Sequence, residues 1–474
     1  MVTEIITTQQ KALQINLDAA KFGTFAEIGA GQEVVRWYFH VGKAAATVAK
    51  SISAYDTAVS DELYGPASHY VCRDRLEAML DCEYSLLMRR LDRKHGEKDG
   101  FFVFADTVAT HGRRGTTGGH GWLGIRFQSL PKAKPSQILI HAQLLESVTT
   151  GEQEALGILG VNLMYGAFYY NNDPVRLLRS LTDGLRRDQI DVDLIKFSGP
   201  AFVGVDNRLM ALLLVEKGLT HATMFTSSDE VVQPSEILWG RPVILERGAF
   251  HPVTNVTMDM IDGALSQIRK DPAKTGEPVT VVEMSLNNLT AGAEVDREDF
   301  LACADTLVAL GKTVMISDYT RFDLVSSCLR KYTDKWIVML MGVPTLREVF
   351  DKSYYESLEG GILEGLSRLF QKDISVYVYP STGTRDGELE TAAGLPCDPS
   401  LKHIFAHFLE NGFIQDITAF RADQLHVRPS DVLAKIQNGD ASWESLVPAP
   451  AVEIIKKNKL FGYRASFNTT AGTS

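Results

Sequence analysis

From about residue 190 onward, short apolar runs alternate with segments of helical spacing. The runs are VDLIKFS, ATMFTS, PVILERG, VTVVEMS, KTVMISD, KWIVMLMG, ISVYVYP and IQDITAF. Runs without polar alternation suit strands buried on both faces, and their alternation with helices predicts βαβ units and a parallel sheet. Periodicity alone leaves a doubly wound sheet and a barrel both open. The first region reads differently. Residues 33–58 read as helix, with the small residues of KAAATVAK on one face, and residues 71–94 carry apolar positions at three-and-four spacing, a long amphipathic helix. Three β-like runs follow, at 101–107, 122–128 and 137–144. They flank a glycine-rich loop, and the last two are spaced to pair as a hairpin over PKAKPS. Helices are expected over 152–170 and 174–187.

A chain of 474 residues is too long for one ordinary core, so two domains are expected. We place an α/β domain at 1–239, a second at 240–465, and a disordered tail at 466–474. The last strands of the first domain, around 192–227, are candidates to extend the neighbouring sheet. The net charge of −11 disfavours long nucleic acid as a partner, because neutralising phosphates needs a positive face. The five cysteines, Cys72, Cys82, Cys303, Cys328 and Cys397, form no CxxC pair and are odd in number. That argues against a disulfide framework or zinc knuckle and for a reducing compartment. The first residues lack a long apolar run, so no export signal is expected, and no stretch approaches a membrane span. These features point to a cytoplasmic protein with no membrane partner.

The most informative stretch is residues 242–261, PVILERGAFHPVTNVTMDMI. A buried strand ends at Glu246, a tight turn contains Gly248, and Pro252 sets the backbone before a helix starting near Thr254. Such a strand–turn–helix unit gathers free N–H groups and the positive helix end at one point, a ready phosphate site. Thr254 and Asn255 would add side-chain donors. A second stretch, residues 431–463, reads as a helix, Gly439, the pair Val447-Pro448 and a last helix with Ile455 and Leu460.

At these residues the chain resembles the nicotinamide/nicotinate mononucleotide adenylyltransferases, whose first strand leads into G-[S/A]-F-[N/D]-P-x-[T/H]-x-x-H. Gly248, Ala249, Phe250, Pro252 and Thr254 match; His251 stands for the Asn or Asp, and Thr257 for the last histidine. The C-terminal stretch resembles that family's closing segment. There Ser430 stands for the threonine of its phosphate-binding motif, but Leu433 stands where the arginine belongs. Ser381-Thr382-Gly383-Thr384-Arg385 has the S-T-x-x-R spelling at the wrong distance from the end. The whole chain is also similar to a bacterial family through FAEIGAGQEVVRWYF, EALGILGVNL and FSGPAFVGVDNRLM. Its members are described either as TonB-dependent receptors, which conflicts with the lack of alternating barrel strands, or as nicotinate-nucleotide adenylyltransferases.

The resemblance implies a Rossmann-like nucleotidyltransferase domain with a parallel sheet over about 240–465, preceded by the other α/β domain. It further implies attack by a mononucleotide phosphate on the α-phosphate of ATP, with Mg²⁺, where the enzyme positions groups and stabilises charge. His251, Thr254 and Thr257 are the implied catalytic positions, and Gly248, Ala249, Phe250, Asn255 and Ser430 the nucleotide-binding ones. Neither threonine carries the charge of an imidazolium. Removing one such donor typically costs about 10²–10³ in rate. Three readings therefore stand: an active transferase with rebuilt groups, a nucleotide binder without the chemistry, and a scaffold or regulatory homo-oligomer that keeps the fold.

Two further glycine-rich segments carry candidate chemistry. The loop THGRRGTTGGHG, residues 110–121, gathers His111, Arg113, Arg114 and His120; as a phosphate-binding loop it would use the two arginines and His120. An exposed surface loop is the alternative, and too few ligands are present for zinc. Glu27-Ile28-Gly29-Ala30-Gly31 resembles the glycine loop of S-adenosylmethionine methyltransferases, a reading that needs a second strand soon after, where helix is expected instead. Polar residues at strand ends, Lys196, Ser198, Glu283, Asp318, Thr320 and Arg321, are ligand or helix-cap candidates. Ser198-Gly199-Pro200 lacks the pattern of a nucleophile elbow.

Overall fold

Two α/β units divide the chain after His221 in the computed structural model, which describes residues 6–111, 118–290, 295–383 and 388–464. Arg113 and Arg114, with Thr384, Arg385 and the tail, lie outside the described residues.

The first unit runs α1 (Thr8–Leu17), β1 (Lys21–Gly29), α2 (Glu33–Val41), β2 (Val48–Ile52), α3 (Thr57–Tyr64) and α4 (Arg73–His95). It continues β3 (Gly100–Ala109), β4 (Gly119–Phe127), β5 (Ser136–Leu144), α5 (Thr149–Tyr169), α6 (Pro174–Ser180), β6 (Ile190–Ser198) and α7 (Asn207–Glu216). Its sheet has the order β2-β1-β3-β4-β5-β6. β2, β1 and β3 are parallel, and β3 to β6 form an antiparallel meander. Alternation along β3 sends Phe102, Phe104 and Val108 into a core shared with α2, α5 and α7. The opposite face meets α4, where Leu76 and Leu80 approach Gly124 and Leu139. α5 is apolar all round, and accordingly Leu156, Leu159, Val161 and Leu163 are all buried.

The expected helix over 33–58 is instead α2, β2 and the start of α3. Gly42 and Lys43, with φ of 79° and 64°, leave helical space, and the chain returns as a strand parallel to β1. The hairpin over PKAKPS forms as expected, β4 against β5. VDLIKFS is an edge strand of this first, mixed sheet, antiparallel to β5. A run buried on both faces has the same apolar pattern in either kind of sheet, so the pattern could not tell them apart.

The second unit runs β7 (Ala222–Phe225), β8 (Val231–Val232), α8 (Pro234–Leu238), β9 (Val243–Arg247), α9 (Asn255–Ile268), β10 (Val279–Ser285), α10 (Leu286–Thr290), α11 (Arg297–Ala309) and β11 (Thr313–Ser317). It continues α12 (Phe322–Arg330), β12 (Ile337–Gly342), α13 (Val343–Val349), α14 (Gly361–Leu369), β13 (Ile374–Tyr379), the short pair β14 (Ser381–Thr382) and β15 (Leu389–Glu390), α15 (Lys402–Glu410), β16 (Ile414–Asp416), α16 (Pro429–Asn438) and α17 (Ala449–Asn458). The sheet is open, in the order β16-β13-β12-β9-β10-β11-β7-β8. All strands from β16 to β11 are parallel, and β7 and β8 close one edge antiparallel. Numbered among themselves, the parallel strands lie in the order 3-2-1-4-5-6, the doubly wound dinucleotide-fold arrangement, and a barrel is excluded. Because β7 and β8 belong here, this unit begins at Ala222, earlier than the boundary at 239 read from the sequence. α9 lies so close to the loop after β16 that a Cβ on Gly263 would fall 2.2 Å from the carbonyl of Ala419. No helix among the described residues is long and apolar enough to cross a membrane.

Each unit buries a carboxyl near the end of its first parallel strand. Glu27 pairs in register with Asp106 across β1 and β3, and both are buried. Glu27 Oε1 accepts from the N–H groups of Val34 and Val35, which opens α2. A Cβ on Gly31 would lie 2.0 Å from Asp106 Oδ1, so only glycine fits beside that carboxyl. Burial, against the two amide bonds, pushes Glu27 up to about 8, and burial next to Glu27 pushes Asp106 well up. The folded state thus holds protons that the unfolded chain releases from about pH 4.3 upward. Stability from Glu27 is full at acid pH and falls as pH rises toward 8. Glu27→Gln keeps the acceptor oxygen and removes the titration. The variant should lose less of its thermal midpoint between pH 5.5 and 8.5 than the parent, by several degrees in calorimetry; parallel pH curves would refute the assignment.

Candidate functional site

In a doubly wound sheet the crevice opens at the carboxyl ends of the strands where their order reverses, here between β9 and β12. The turn that follows β9 therefore sits where a ligand is expected. Its base is fixed by an ion pair. Arg247 donates from Nε and Nη2 to the two oxygens of Glu283 on β10, at 2.9 and 2.8 Å, and Ser317 at the end of β11 donates to the same carboxylate. Glu283 is fully buried, and the guanidinium lies 4.7 Å over the ring of Phe322. Glu246, one residue earlier, faces the other side of the sheet. Burial raises its carboxyl to about 8, offset in part by Lys312 and by a hydrogen bond from Thr257. Its Oε2 has no hydrogen-bond partner among the described residues.

The motif residues fall as follows. Gly248 donates its N–H to the carbonyl of Glu283, and the Phe250 ring, itself buried, lies over it at 3.1–3.5 Å from a notional Cβ. Ala249 is exposed. The His251 ring lies 5.2 Å from that of Phe461, with Nε2 3.5 Å from Asp299. Thr254 is buried at the N-cap of α9 and makes no side-chain cap bond there. Thr257 is engaged with Glu246. Asn255 donates its N–H to the carbonyl of Leu446 and its side-chain amide to that of Ser445, both at 2.9 Å.

Those bonds join the two stretches of the motif. The closing segment forms as expected: α16, Gly439 in left-handed conformation, Val447-Pro448 and α17. It brings residues 445–446 onto the start of α9 and Phe461 onto His251. Ser430 is exposed in the first turn of α16, 3.5 Å from Asp431. One consequence limits phosphate binding, since the first amide of α9 is already spent on Leu446. A shallow cleft of about 270 Å³ lies elsewhere, between Arg347, Lys352, Cys397 and neighbouring residues. Its cations are paired, Arg347 with Glu390 and Lys352 with Asp398.

In the first unit, the two ends of the glycine-rich loop are held by buried partners. His111 pairs through Nδ1 and its N–H with Glu152, a fully buried residue of α5. His120 Nδ1 lies 3.2 Å from His141 Nε2, and His141 Nδ1 lies 2.5 Å from Asp193 Oδ1. Burial, then the neighbouring His141, lowers His120 to about 4. Sequence reading singled out His120 but missed His141, Asp193, Arg247 and Ser317. The available signal was a polar residue inside an apolar strand, as in QILIHAQL and IDVDLIKF.

No family model matches the chain, and no curated protein matches it. Among solved structures it is similar to the competence/damage inducible protein CihA from Agrobacterium tumefaciens, at 13% identity and TM-score 0.25, over 33% of this chain and 93% of that one. It is also similar to a competence-damaged protein (CinA) superfamily protein from Enterobacter cloacae, at 13% identity and TM-score 0.26, over 35% and 95%. A competence or damage-inducible protein from Enterobacter asburiae gives 13% and 0.26, over 34% and 98%. Likeness at this level carries no argument about activity.

The Arg247–Glu283 pair makes a separate prediction. Arg247→Ala strands a buried carboxylate and should cost about 3–5 kcal/mol in urea unfolding of the second unit, followed through Trp336 and Trp443. Replacing both residues, Arg247→Met with Glu283→Leu, should recover most of that loss. Equal destabilisation by the single and the double variant would show that packing, rather than the stranded charge, sets the cost.

Proposed function

We propose that the second unit is a nucleotide-binding domain whose ligand lies against the Gly248–Asn255 turn, at the carboxyl ends of β9 and β12. The observation that carries this reading is the contact between the two motif stretches. They are some 190 residues apart, and they meet through Asn255 and Ser445 at the order reversal of the sheet. ATP with Mg²⁺ is the first ligand to test, and nicotinate or nicotinamide mononucleotide the second, because the motif resembles that of the mononucleotide adenylyltransferases.

The donor set fits binding better than it fits adenylyl transfer. Charge on a transferring phosphoryl group needs preorganised cationic or N–H donors. Of the motif positions, His251 alone can carry a cation, and it faces Asp299 and Phe461. Thr257 is committed to Glu246, and Leu433 takes the place of the arginine. A scaffold or regulatory homo-oligomer is the second reading, favoured by the capping of α9 by the chain's own Leu446.

Calorimetric titration separates the readings. ATP with Mg²⁺ should bind with a dissociation constant in the micromolar range, about −8 kcal/mol. Asn255→Asp places a carboxylate at the start of α9, next to the bound phosphates, and should weaken binding about tenfold or more, whereas Asn255→Ala, which loses the same bond to Ser445 without adding a charge, should weaken it less. If neither nucleotide binds the parent protein, the nucleotide reading fails and the scaffold reading stands. Release of pyrophosphate from ATP and mononucleotide at an enzymatic rate would instead overturn the view that the transfer chemistry is lost.

A further inference from the structure

β4, β5 and β6 are neighbours in the meander of the first unit. Trp122 on β4 is directly opposite His141 on β5, so both point to one face, and His120, two residues before Trp122, points the same way. The register of β5 against β6 shifts between His141 and Ala142, which leaves Asp193 as the extra residue of a bulge. A bulge re-aims a side chain, and here it turns a carboxylate onto His141 in a strand whose neighbours are Val192 and Leu194. Asp193 and His141 are 4% and 1% exposed, while His120, at the loop end, is half-buried.

With Asp193 ionised and both imidazoles neutral, the hydrogen bonds fix where the protons sit. Asp193 only accepts, so His141 carries its proton on Nδ1 and offers Nε2 as an acceptor. The 3.2 Å contact then requires His120 to donate from Nδ1, which leaves a lone pair on His120 Nε2. That nitrogen makes no hydrogen bond to the described residues. Gln143 donates to the second oxygen of Asp193 at 3.3 Å and holds the carboxylate in place. The ring of Trp122, 4.9 Å from that of His141, fills the face, with the Arg73 guanidinium from α4 5.3 Å above it.

We propose that Asp193, His141 and His120 form a proton relay ending in a general base, with His120 Nε2 taking a proton from water or from a ligand hydroxyl at the carboxyl end of β3. Ala109 at that end is paired with His120. In the step, the ligand O–H bond breaks and an N–H bond forms at His120 Nε2. The Nδ1 proton of His120 passes to His141 Nε2. The positive charge comes to rest on His141 beside the Asp193 carboxylate, and the negative charge stays on the ligand oxygen. His120 is the base, and His141 and Asp193 are positioning residues. Among the described residues, the titratable and charged groups that act on His120 are His141 and Asp193, with Arg73 across Trp122.

The test reads the tautomers directly. In the whole protein, with nitrogen-15 in its histidines, long-range proton–nitrogen spectra between pH 5 and 8 report which ring nitrogens carry protons, and His120→Gln assigns the signal. The expected result is His120 neutral throughout, with Nδ1 protonated and Nε2 bare. A proton on Nε2 at neutral pH, or titration near the free-imidazole value of about 6.5, overturns the proposal. Diethyl pyrocarbonate supplies the second readout. The bare Nε2 attacks its carbonyl carbon and expels ethyl carbonate, and the acylated residue is located by mass spectrometry. The rate at His120 should stay within about twofold from pH 7.5 to 5.5, where an ordinary histidine slows about tenfold. Asp193→Asn, which frees His141 to turn its tautomer round, should slow acylation of His120 about tenfold or more, with the circular dichroism spectrum unchanged. An unchanged rate in that variant refutes the relay.

Discussion

Satisfaction of one fully buried carboxylate, Glu283, governs the carboxyl edge of the second sheet. Glu283 ends β10 with no exposure to water, and an unpaired charge there would cost several kcal/mol. Arg247 and Ser317 meet it from the ends of β9 and β11. The pair ties β9, β10 and β11 at one level, and the turn that begins at Gly248 starts from that level. Gly248 itself donates to the carbonyl of Glu283, so the turn is hung on the same residue. The arrangement also limits function, because an arginine whose fork is filled by Glu283 is not available to grip a phosphate.

The two units solve the same problem at the end of their first parallel strands in different ways. Glu27 points at the start of α2 and takes two of its free amides, where the helix end favours a negative charge. Glu246 lies under α9, whose first amide goes to Leu446, and receives a hydroxyl from Thr257 instead. Burial outweighs these donors in both cases and raises both carboxyls to about 8. For the segment Glu27 to Gly31 this decides a question that spelling could not. A second strand does follow, as β2, but it ends at Ile52 without the acidic residue that a methyltransferase-type loop requires, and the donors at the helix start are consumed by Glu27. The glycines there serve packing, Gly31 against Asp106, rather than approach to a ligand.

Much of the second unit was legible because its strands are continuous apolar runs, and each of the runs from PVILERG to IQDITAF contributes a strand to the parallel sheet. The strand order was not legible, since it is set by which helix packs on which face. VDLIKFS and ATMFTS, read with the parallel runs, both pair antiparallel, because a run buried on both faces has the same apolar pattern in either kind of sheet. The helix read over residues 33–58 failed at Gly42 and Lys43, where positive φ ends α2 and small residues that suit a helix also suit the turn into β2. At the site, the turn and the closing segment were found by spelling, but their contact through Asn255 and Ser445 spans the length of the unit and leaves no local trace.

The polar residues that matter most in the first unit are the ones an apolar pattern hides. His141 and Asp193 sit next to buried hydrocarbons in their strands, Ile140 and Ala142 beside one and Val192 and Leu194 beside the other, and each would be costly alone. Together they satisfy one another, and the pairing needs the bulge that brings Asp193 out of alternation. A structural ion pair would be complete at that point. His120 extends it by one more hydrogen bond toward the half-buried loop end, although burial and the neighbouring ring both disfavour a charge there. An imidazole kept neutral, with one nitrogen committed inward, has the other nitrogen's lone pair as its remaining chemistry; the charge that His120 disfavours is the one that His141, beside the Asp193 carboxylate, is placed to take.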